Sequence, residues 1–236
     1  MKEMPLNRPF RDRTLTEAVG VNPYVAIHRE FPEIIPAENA ERWRGAWSGA
    51  FSTPGPVHLE IGSGNGFYLA GMAAANPDIR WLGLELRFKR VVIAARKLRV
   101  AGIENAKLVR FDAFNLPRLF APGDLHGVHI NHPDPWAKDS QAHRRLISAP
   151  VLSQLAGFVR QGGELRLKTD FHPHIDALVD CIATMEGRPW TLVATSENVT
   201  TLGAPWPGDV CTNYQRKMNE RGMPVFAAWA RRSTLT

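Results

Sequence analysis

The glycine-rich segment at residues 57–66, VHLEIGSGNG, has residue types and spacing that suit ligand binding. An apolar run contains Glu60 and is followed by Gly62, Gly64 and Gly66 at every second position. Glycine permits tight turns and lets the backbone approach a ligand that a side chain would block. The segment therefore predicts a strand that ends in a ligand-binding loop.

The cofactor class follows from this loop and from Glu85, which closes the next apolar run, WLGL at 81–84. An acid at the tip of the second strand holds a nucleotide ribose in many α/β folds. The G-x-G-x-G spacing differs from the dinucleotide pattern G-x-G-x-x-G and is commoner in enzymes that use S-adenosyl-L-methionine. A carboxylate near the loop also suits the amino group and sulfonium cation of that cofactor.

Two more acids follow apolar runs. Asp112 is placed to accept a hydrogen bond from an adenine amino group, or to cap a helix, and the two roles are compatible. Asp134 lies between Pro133 and Pro135, which fix φ on both sides and predict a rigid loop for a catalytic or base-holding residue. The neighbouring Trp136 is interpreted either as a stacking platform for a base or as a core tryptophan.

Polar and basic residues follow the later strands and the Asp134 loop. The first cluster comprises Lys138, His143, Arg144 and Arg145; a solvated charged face is its ordinary interpretation, but its position directly after the Asp134 loop favours contact with phosphate. Lys168-Thr169-Asp170 ends the fifth predicted strand at the ligand edge, and Thr212, Asn213, Tyr214 and Gln215 precede two basic residues that we expect to face solvent.

Predicted strands and helices alternate from residue 57 onward, which indicates a parallel sheet covered by helices on both faces. We expect strands at 57–61, 81–85, 106–110, 127–131, 163–169, 190–194 and 224–231, and helices at 67–76, 88–101, 145–158 and 173–185. Residues 1–50 are predicted as a basic arm followed by a lead-in helix over 38–51, and residues 51–236 as the main domain. The glycine- and proline-containing loop at 197–210 is predicted to form a mobile flap.

Composition limits the function classes. The 236 residues include 29 Lys+Arg against 23 Asp+Glu, a net charge of +6 that fits either a polyanionic partner or simply a soluble basic protein. Two cysteines supply neither a disulfide framework nor a metal quartet, so no metal is expected. The apolar runs are too short to span a bilayer, and we expect a soluble cytoplasmic protein, monomeric or homodimeric, with no membrane partner.

With these motifs, the chain resembles the bacterial tRNA (guanine-N7-)-methyltransferase family. The proline-flanked Asp134 with Trp136 and Lys138 is the discriminating signature, beside the glycine loop, Glu85, Asp112 and the Lys168-Thr169-Asp170 segment. The resemblance implies a Rossmann-like class I methyltransferase fold with a seven-stranded, mostly parallel sheet. It also implies methyl transfer from S-adenosyl-L-methionine to N7 of a guanosine in the tRNA variable loop.

The resemblance assigns roles to the matching positions. It implies that the cofactor is bound by Glu60, Gly62, Gly64, Gly66, Glu85 and Asp112. Asp134 would contact both cofactor and base and is the implied catalytic residue. The tRNA substrate would be held by Lys138, Arg144, Arg145, Asp170, Thr212, Asn213, Tyr214 and Gln215.

Four departures from the family pattern all fall in the substrate half. Ser140-Gln141 replaces the usual Arg-His, His143 replaces a lysine, and Gln215 replaces a glutamate. Residues 131–132 are Asn-His, where an aromatic residue is more usual before the proline. Two other functions therefore stay open: a class I N-methyltransferase for another RNA or a small nitrogenous substrate, and a non-catalytic RNA-binding protein that keeps the fold.

Overall fold

The computed structural model describes residues 22–234. The predicted basic arm therefore lies mostly outside the described residues. None of the described helices is long and apolar enough to cross a bilayer.

One sheet organises the described part of the chain. Its eight strands lie in the order β1-β4-β3-β2-β5-β6-β8-β7. β1 to β6 pair in parallel, while β8 runs antiparallel to both β6 and β7. The strands are β1 Ile34–Ile35, β2 Val57–Ile61, β3 Arg80–Glu85, β4 Ala106–Arg110, β5 Leu125–Asn131, β6 Val159–Thr169, β7 Trp190–Ser196 and β8 Phe226–Arg232.

The sequence predicts seven strands, and the additional one is β1. It has two residues, and it pairs with β4 at the edge of the sheet through Ile34 and Ile35. A two-residue strand between prolines has no period-two pattern to detect. The seven predicted strands are all present, and the longest correction is β6, which begins at Val159 rather than at residue 163.

Helices cover both faces of the sheet, which is why every residue of β2 and β3 is buried. The helices are α1 Pro23–Ile27, α2 Ala37–Ala40, α3 Phe67–Ala75, α4 Phe88–Val100, α5 Leu116–Leu119, α6 Ala149–Phe158, α7 Pro173–Thr184, α8 Val199–Leu202 and α9 Asn213–Glu220. The predicted helices at 67–76, 88–101 and 173–185 are confirmed. α6 begins at Ala149 rather than at residue 145, because Arg145, which follows the 3-10 turn Asp139–Arg144, and Ser148 both have extended backbone.

The predicted helix over 38–51 is wrong. The segment contains α2 and two 3-10 turns, Glu41–Trp43 and Trp47–Ala50, separated at Gly45, whose φ of 83° is outside the helical region. The aromatic residues still serve the core, as predicted. Trp47 is 1% exposed and its indole N–H donates to the carbonyl of Leu119 at 2.7 Å.

The sheet places its crevice between β2 and β5. From β2 the chain winds outward through β3 and β4, then returns to the other side of β2 with β5. In open parallel sheets, ligands bind beyond the carboxyl ends of the strands where the winding reverses. Glu60 on β2 and Asn131 on β5 both lie at this position.

Candidate active site

A cleft of about 250 Å³ opens at the carboxyl ends of β2 and β5. Its lining combines the glycine loop, the end of β5 and the start of α9, namely Glu60, Gly62–Asn65, Phe67, Tyr68, Arg90, Asn131, His132, Thr212, Asn213, Tyr214 and Lys217. A larger hollow of about 530 Å³ at the opposite edge contains none of the predicted site residues. The cleft at the strand ends is therefore the candidate active site.

The glycine loop has the conformation that its sequence predicts. Gly62 adopts φ 76°, and a Cβ there would meet no described atom within 4 Å, so the space in front of it is open to a ligand. Gly66 packs instead: a Cβ at Gly66 would lie 2.7 Å from Cβ of Ala94 on α4. One glycine thus leaves room for a ligand and another lets two helices approach.

Glu60 is the most perturbed acid of the site. It is 2% exposed, and burial raises its pKa to about 7. Asn131 Nδ2 donates to Glu60 Oε1 at 3.0 Å. Within residues 22–234, Glu60 Oε2 and the hydroxyl of Ser63 are buried without a hydrogen-bond partner. Buried polar atoms are rarely left in this state, so the pair fits a ligand that brings a donor or a positive charge.

Glu85 and Asp112 have bonds within the protein. Glu85 Oε2 accepts from the backbone N–H of Gly64 at 3.1 Å, and Oε1 accepts from that of Arg87 at 2.9 Å. Glu85 therefore fixes the glycine loop as well as lying at the predicted ribose position. Asp112 Oδ1 accepts from the N–H of Phe114 at 3.0 Å, which confirms the capping interpretation.

Arg145 anchors the loop that carries Asp134 through two backbone carbonyls. Arg145 Nε donates to the carbonyl of Trp136 at 3.0 Å, and its terminal nitrogen to the carbonyl of Ala137 at 3.1 Å. Arg144 instead lies with its guanidinium 4.8 Å from the centroid of the half-buried Trp136 ring. Asp134 and Lys138 are exposed. Of the two predicted arginines, Arg144 is thus the one left facing solvent.

Three predicted substrate residues converge on His132, which sequence reasoning did not assign to the site. Its Nδ1 lies 3.3 Å from Asp170 Oδ1 and its Nε2 3.1 Å from Thr212 Oγ1. Tyr214 donates to Asp170 Oδ2 at 3.3 Å and packs its ring against that of His132. The sequence offers one signal for this role: His132 stands where the family more usually has an aromatic residue.

Gln215 and Lys168 form a second, buried cluster. Lys168 is fully buried, and its ammonium donates to both carboxylate oxygens of Asp209 at 3.0 and 3.1 Å. It also donates to the carbonyl of Val210 at 2.7 Å and to Gln215 Oε1 at 3.2 Å. The side chain of Gln215 therefore faces the protein interior, and Asp209, which sequence reasoning missed, supplies the carboxylate.

The predicted flap at 197–210 is anchored to this cluster. Trp206 is 5% exposed and its indole N–H donates to Asp209 Oδ1 at 3.1 Å. Ser196 at the end of β7 also donates to the carbonyl of Gly203 at 2.8 Å. These contacts tie the segment that leads into α9 to the sheet.

Most of the chain is similar to known proteins. A family model described as "Putative methyltransferase" matches residues 54–228. The tRNA (guanine-N(7)-)-methyltransferase of Listeria monocytogenes serotype 4b (strain F2365) is 32% identical over 197 residues, covering 84% of this chain and 89% of the relative. The protein of the same name from Bacillus subtilis (strain 168) is 29% identical over 208 residues, covering 85% of this chain and 95% of the relative.

Solved structures share the fold at low identity. The 16S rRNA methyltransferase KamB superposes with a TM-score of 0.57 at 19% identity, covering 76% of this chain and 88% of KamB. TrmN from Thermus thermophilus gives 0.53 at 20% identity, covering 83% of this chain and 48% of TrmN. These likenesses confirm the predicted Rossmann-like methyltransferase fold.

Proposed function

The chain belongs to the tRNA (guanine-N7-)-methyltransferase family, and we propose that it methylates N7 of a guanosine in the tRNA variable loop with S-adenosyl-L-methionine as donor. One observation supports this most strongly. The open glycine loop, the buried Glu60 and the loop carrying Asp134 share one sheet edge, linked by the bond from Asn131 to Glu60.

The cofactor fits the residues at the glycine loop. S-adenosyl-L-methionine supplies an electrophilic methyl group and carries a cationic amino group when bound. Glu60 Oε2 and the Ser63 hydroxyl offer unused hydrogen-bonding capacity at the cleft, within the part of the chain that the structure describes. Glu85 holds the loop through Gly64, and its carboxylate would also bind the ribose of the cofactor. Asp112 lies after β4 at the same edge of the sheet.

The proposed role of Asp134 is to orient the base. Guanine N7 carries a lone pair and no proton, so no general base is needed to create the nucleophile. Orientation alone supplies up to about 7–11 kcal/mol of a barrier. Asp134 would accept hydrogen bonds from the ring N–H and the exocyclic amine of guanine. These protons become more acidic as N7 gains charge, so the bonds strengthen in the transition state.

The tRNA backbone would be held by basic side chains around the cleft. Lys217 and Arg90 line it, and Lys138 and Arg144 are exposed on the Asp134 loop. Arg145 contributes indirectly, because its guanidinium is occupied by the carbonyls of Trp136 and Ala137. Phosphate contacts of this kind determine affinity and its dependence on salt.

The test is a set of parallel reactions, each with the protein, radiolabelled S-adenosyl-L-methionine and one acceptor: total tRNA, ribosomal RNA or small amines. We expect label in tRNA that is released as 7-methylguanosine on nucleoside digestion. Asp134→Ala is the matched control, which should bind the cofactor yet incorporate little label. Label confined to ribosomal RNA or to small amines would replace the proposal with the broader N-methyltransferase function, and no label in any substrate would contradict it.

A further inference from the structure

His132 lies in the lining of the cleft and contacts three residues that are expected to hold the substrate. Its side chain is 7% exposed and lies between the end of β6 and the start of α9. On one side it reaches Asp170 Oδ1 at 3.3 Å, and on the other Thr212 Oγ1 at 3.1 Å. The ring centroids of His132 and Tyr214 are 4.6 Å apart.

The direction of each hydrogen bond follows from the groups involved. Asp170 only accepts when ionised, so Nδ1 of His132 carries the proton and donates it. Burial lowers the pKa of His132, which keeps the ring neutral and leaves Nε2 as an acceptor. Thr212 therefore donates its hydroxyl proton to Nε2, while its oxygen accepts from the N–H of Gln215 at 2.8 Å.

These bonds form a chain from the strand end to the helix. It runs from Asp170 through the imidazole and the Thr212 hydroxyl to the first turn of α9, which Thr212 caps. Tyr214 closes the cluster by donating to Asp170 Oδ2 at 3.3 Å. The hydrogen bond from His132 also holds the pKa of Asp170 below its ordinary value, which keeps that acceptor ionised.

The backbone of His132 is constrained as well. It adopts φ 47°, a left-handed conformation that is uncommon for residues other than glycine, and its N–H donates to the carbonyl of Lys168 at 2.7 Å. Such strain persists only where surrounding contacts enforce it. Pro133 and Asp134 follow directly, so the conformation of His132 sets the direction in which the Asp134 loop leaves β5.

We propose that His132 is a positioning residue for the tRNA substrate, which holds Asp170, Thr212 and Tyr214 in one arrangement and fixes the start of the Asp134 loop. The inference rests on the proposed function and deepens it by linking the base-orienting loop to the substrate-binding residues. A phenyl ring at this position would keep the contact with Tyr214. It would lose the hydrogen bonds to Asp170 and Thr212, so the comparison separates the ring contact from the polar contacts of the imidazole.

His132→Phe therefore isolates the two polar bonds. The loss of one neutral and one charge-assisted hydrogen bond should lower kcat/KM for tRNA about tenfold, through KM where the substrate residues lose their arrangement and through kcat where the Asp134 loop shifts. Affinity for S-adenosyl-L-methionine should stay within about twofold, because the hydrogen bonds of His132 go to Asp170, Thr212 and the carbonyl of Lys168 and not to the proposed cofactor residues. His132→Gln, whose amide both donates and accepts, should recover much of the loss.

A double-mutant cycle separates positioning from general folding. If His132 acts in part through Asp170, then the loss in kcat/KM for tRNA in His132→Phe combined with Asp170→Ala should be clearly smaller than the product of the two single losses. Fully additive losses would overturn the proposal. Equal losses in tRNA binding, cofactor binding and thermal stability in His132→Phe would also overturn it, because they indicate a folding role only.

Hydrogen exchange of residues 212–220 tests the same idea without any activity. His132→Phe should speed exchange in this segment, because Thr212 loses the partner that orients its cap, and His132→Gln should slow it again. Unchanged exchange in His132→Phe would refute the positioning role whatever the activity. A wild-type protein that does not methylate tRNA, combined with faster exchange in His132→Phe, would refute the proposed function and leave the positioning role in place.

Discussion

Replacement of Glu60 by glutamine tests the cofactor site through the stability of the ligand-free protein. Burial raises the pKa of Glu60 to about 7, against 4.5 for an ordinary glutamate. Between these values the folded protein keeps a proton that the unfolded chain releases. The free energy of unfolding of the wild type therefore falls as pH rises through this window, and levels off above the folded pKa.

The magnitude follows from the two pKa values. Their difference corresponds to about 3 kcal/mol of destabilisation once Glu60 is fully ionised. Glutamine has no titration, and its carbonyl oxygen retains the bond from Asn131 Nδ2. Any cost of burying the new amide is independent of pH. The stability of Glu60→Gln relative to wild type should thus improve by about 3 kcal/mol between about pH 4 and pH 8.

Urea unfolding of both proteins at a series of pH values measures this difference directly. The titrations of other groups are shared by the two proteins and cancel in the comparison. A stability difference that does not change with pH would refute the assignment of a buried carboxylate with a raised pKa to the cleft. In the same variant, calorimetry should show strongly weakened binding of S-adenosyl-L-methionine, because the negative charge that we propose for its amino group is gone.

Three further predictions concern the substrate side. Asp134→Ala should lower kcat by at least about 100-fold with little change in cofactor affinity in calorimetry, and equal losses in both would defeat the orienting role. Asp209→Asn should lower the free energy of unfolding in urea by about 3 kcal/mol, because it leaves the buried ammonium of Lys168 poorly compensated. Adding Gln215→Glu should restore part of that loss, and no rescue would show that the side chain at 215 does not help to balance the charge of Lys168. Binding of tRNA in filter assays should weaken at least about tenfold between about 50 and 200 mM salt, whereas a flat response would argue against phosphate contacts.

The cofactor half could be predicted from sequence because its signals are local. The glycine spacing and Glu85 each follow an apolar run, and the parallel sheet brings such strand ends together whatever the details of packing. The lead-in helix could not be predicted correctly. The aromatic spacing of Trp43, Trp47 and Phe51 suggested one helix, but Gly45 at φ 83° interrupts it and the same side chains reach the core by turns.

The substrate half depends on contacts between distant segments. Lys168 and Asp209 form their ion pair across 41 residues, and no local pattern links them. The family motif predicts that Gln215 contacts the substrate. In α9, however, Gln215 and Met218 share the buried face, while Tyr214 points outward. Helical periodicity thus divides a contiguous motif between the interior and the cleft.

The most direct test of the central claim is to map the methylated position in a tRNA transcript after incubation with the protein and S-adenosyl-L-methionine. Borohydride reduction followed by aniline cleaves the strand at 7-methylguanosine. We expect a single cleavage, at a guanosine of the variable loop, that disappears when that guanosine is replaced by adenosine. Methylation elsewhere in the tRNA, or at an atom other than N7, would contradict it.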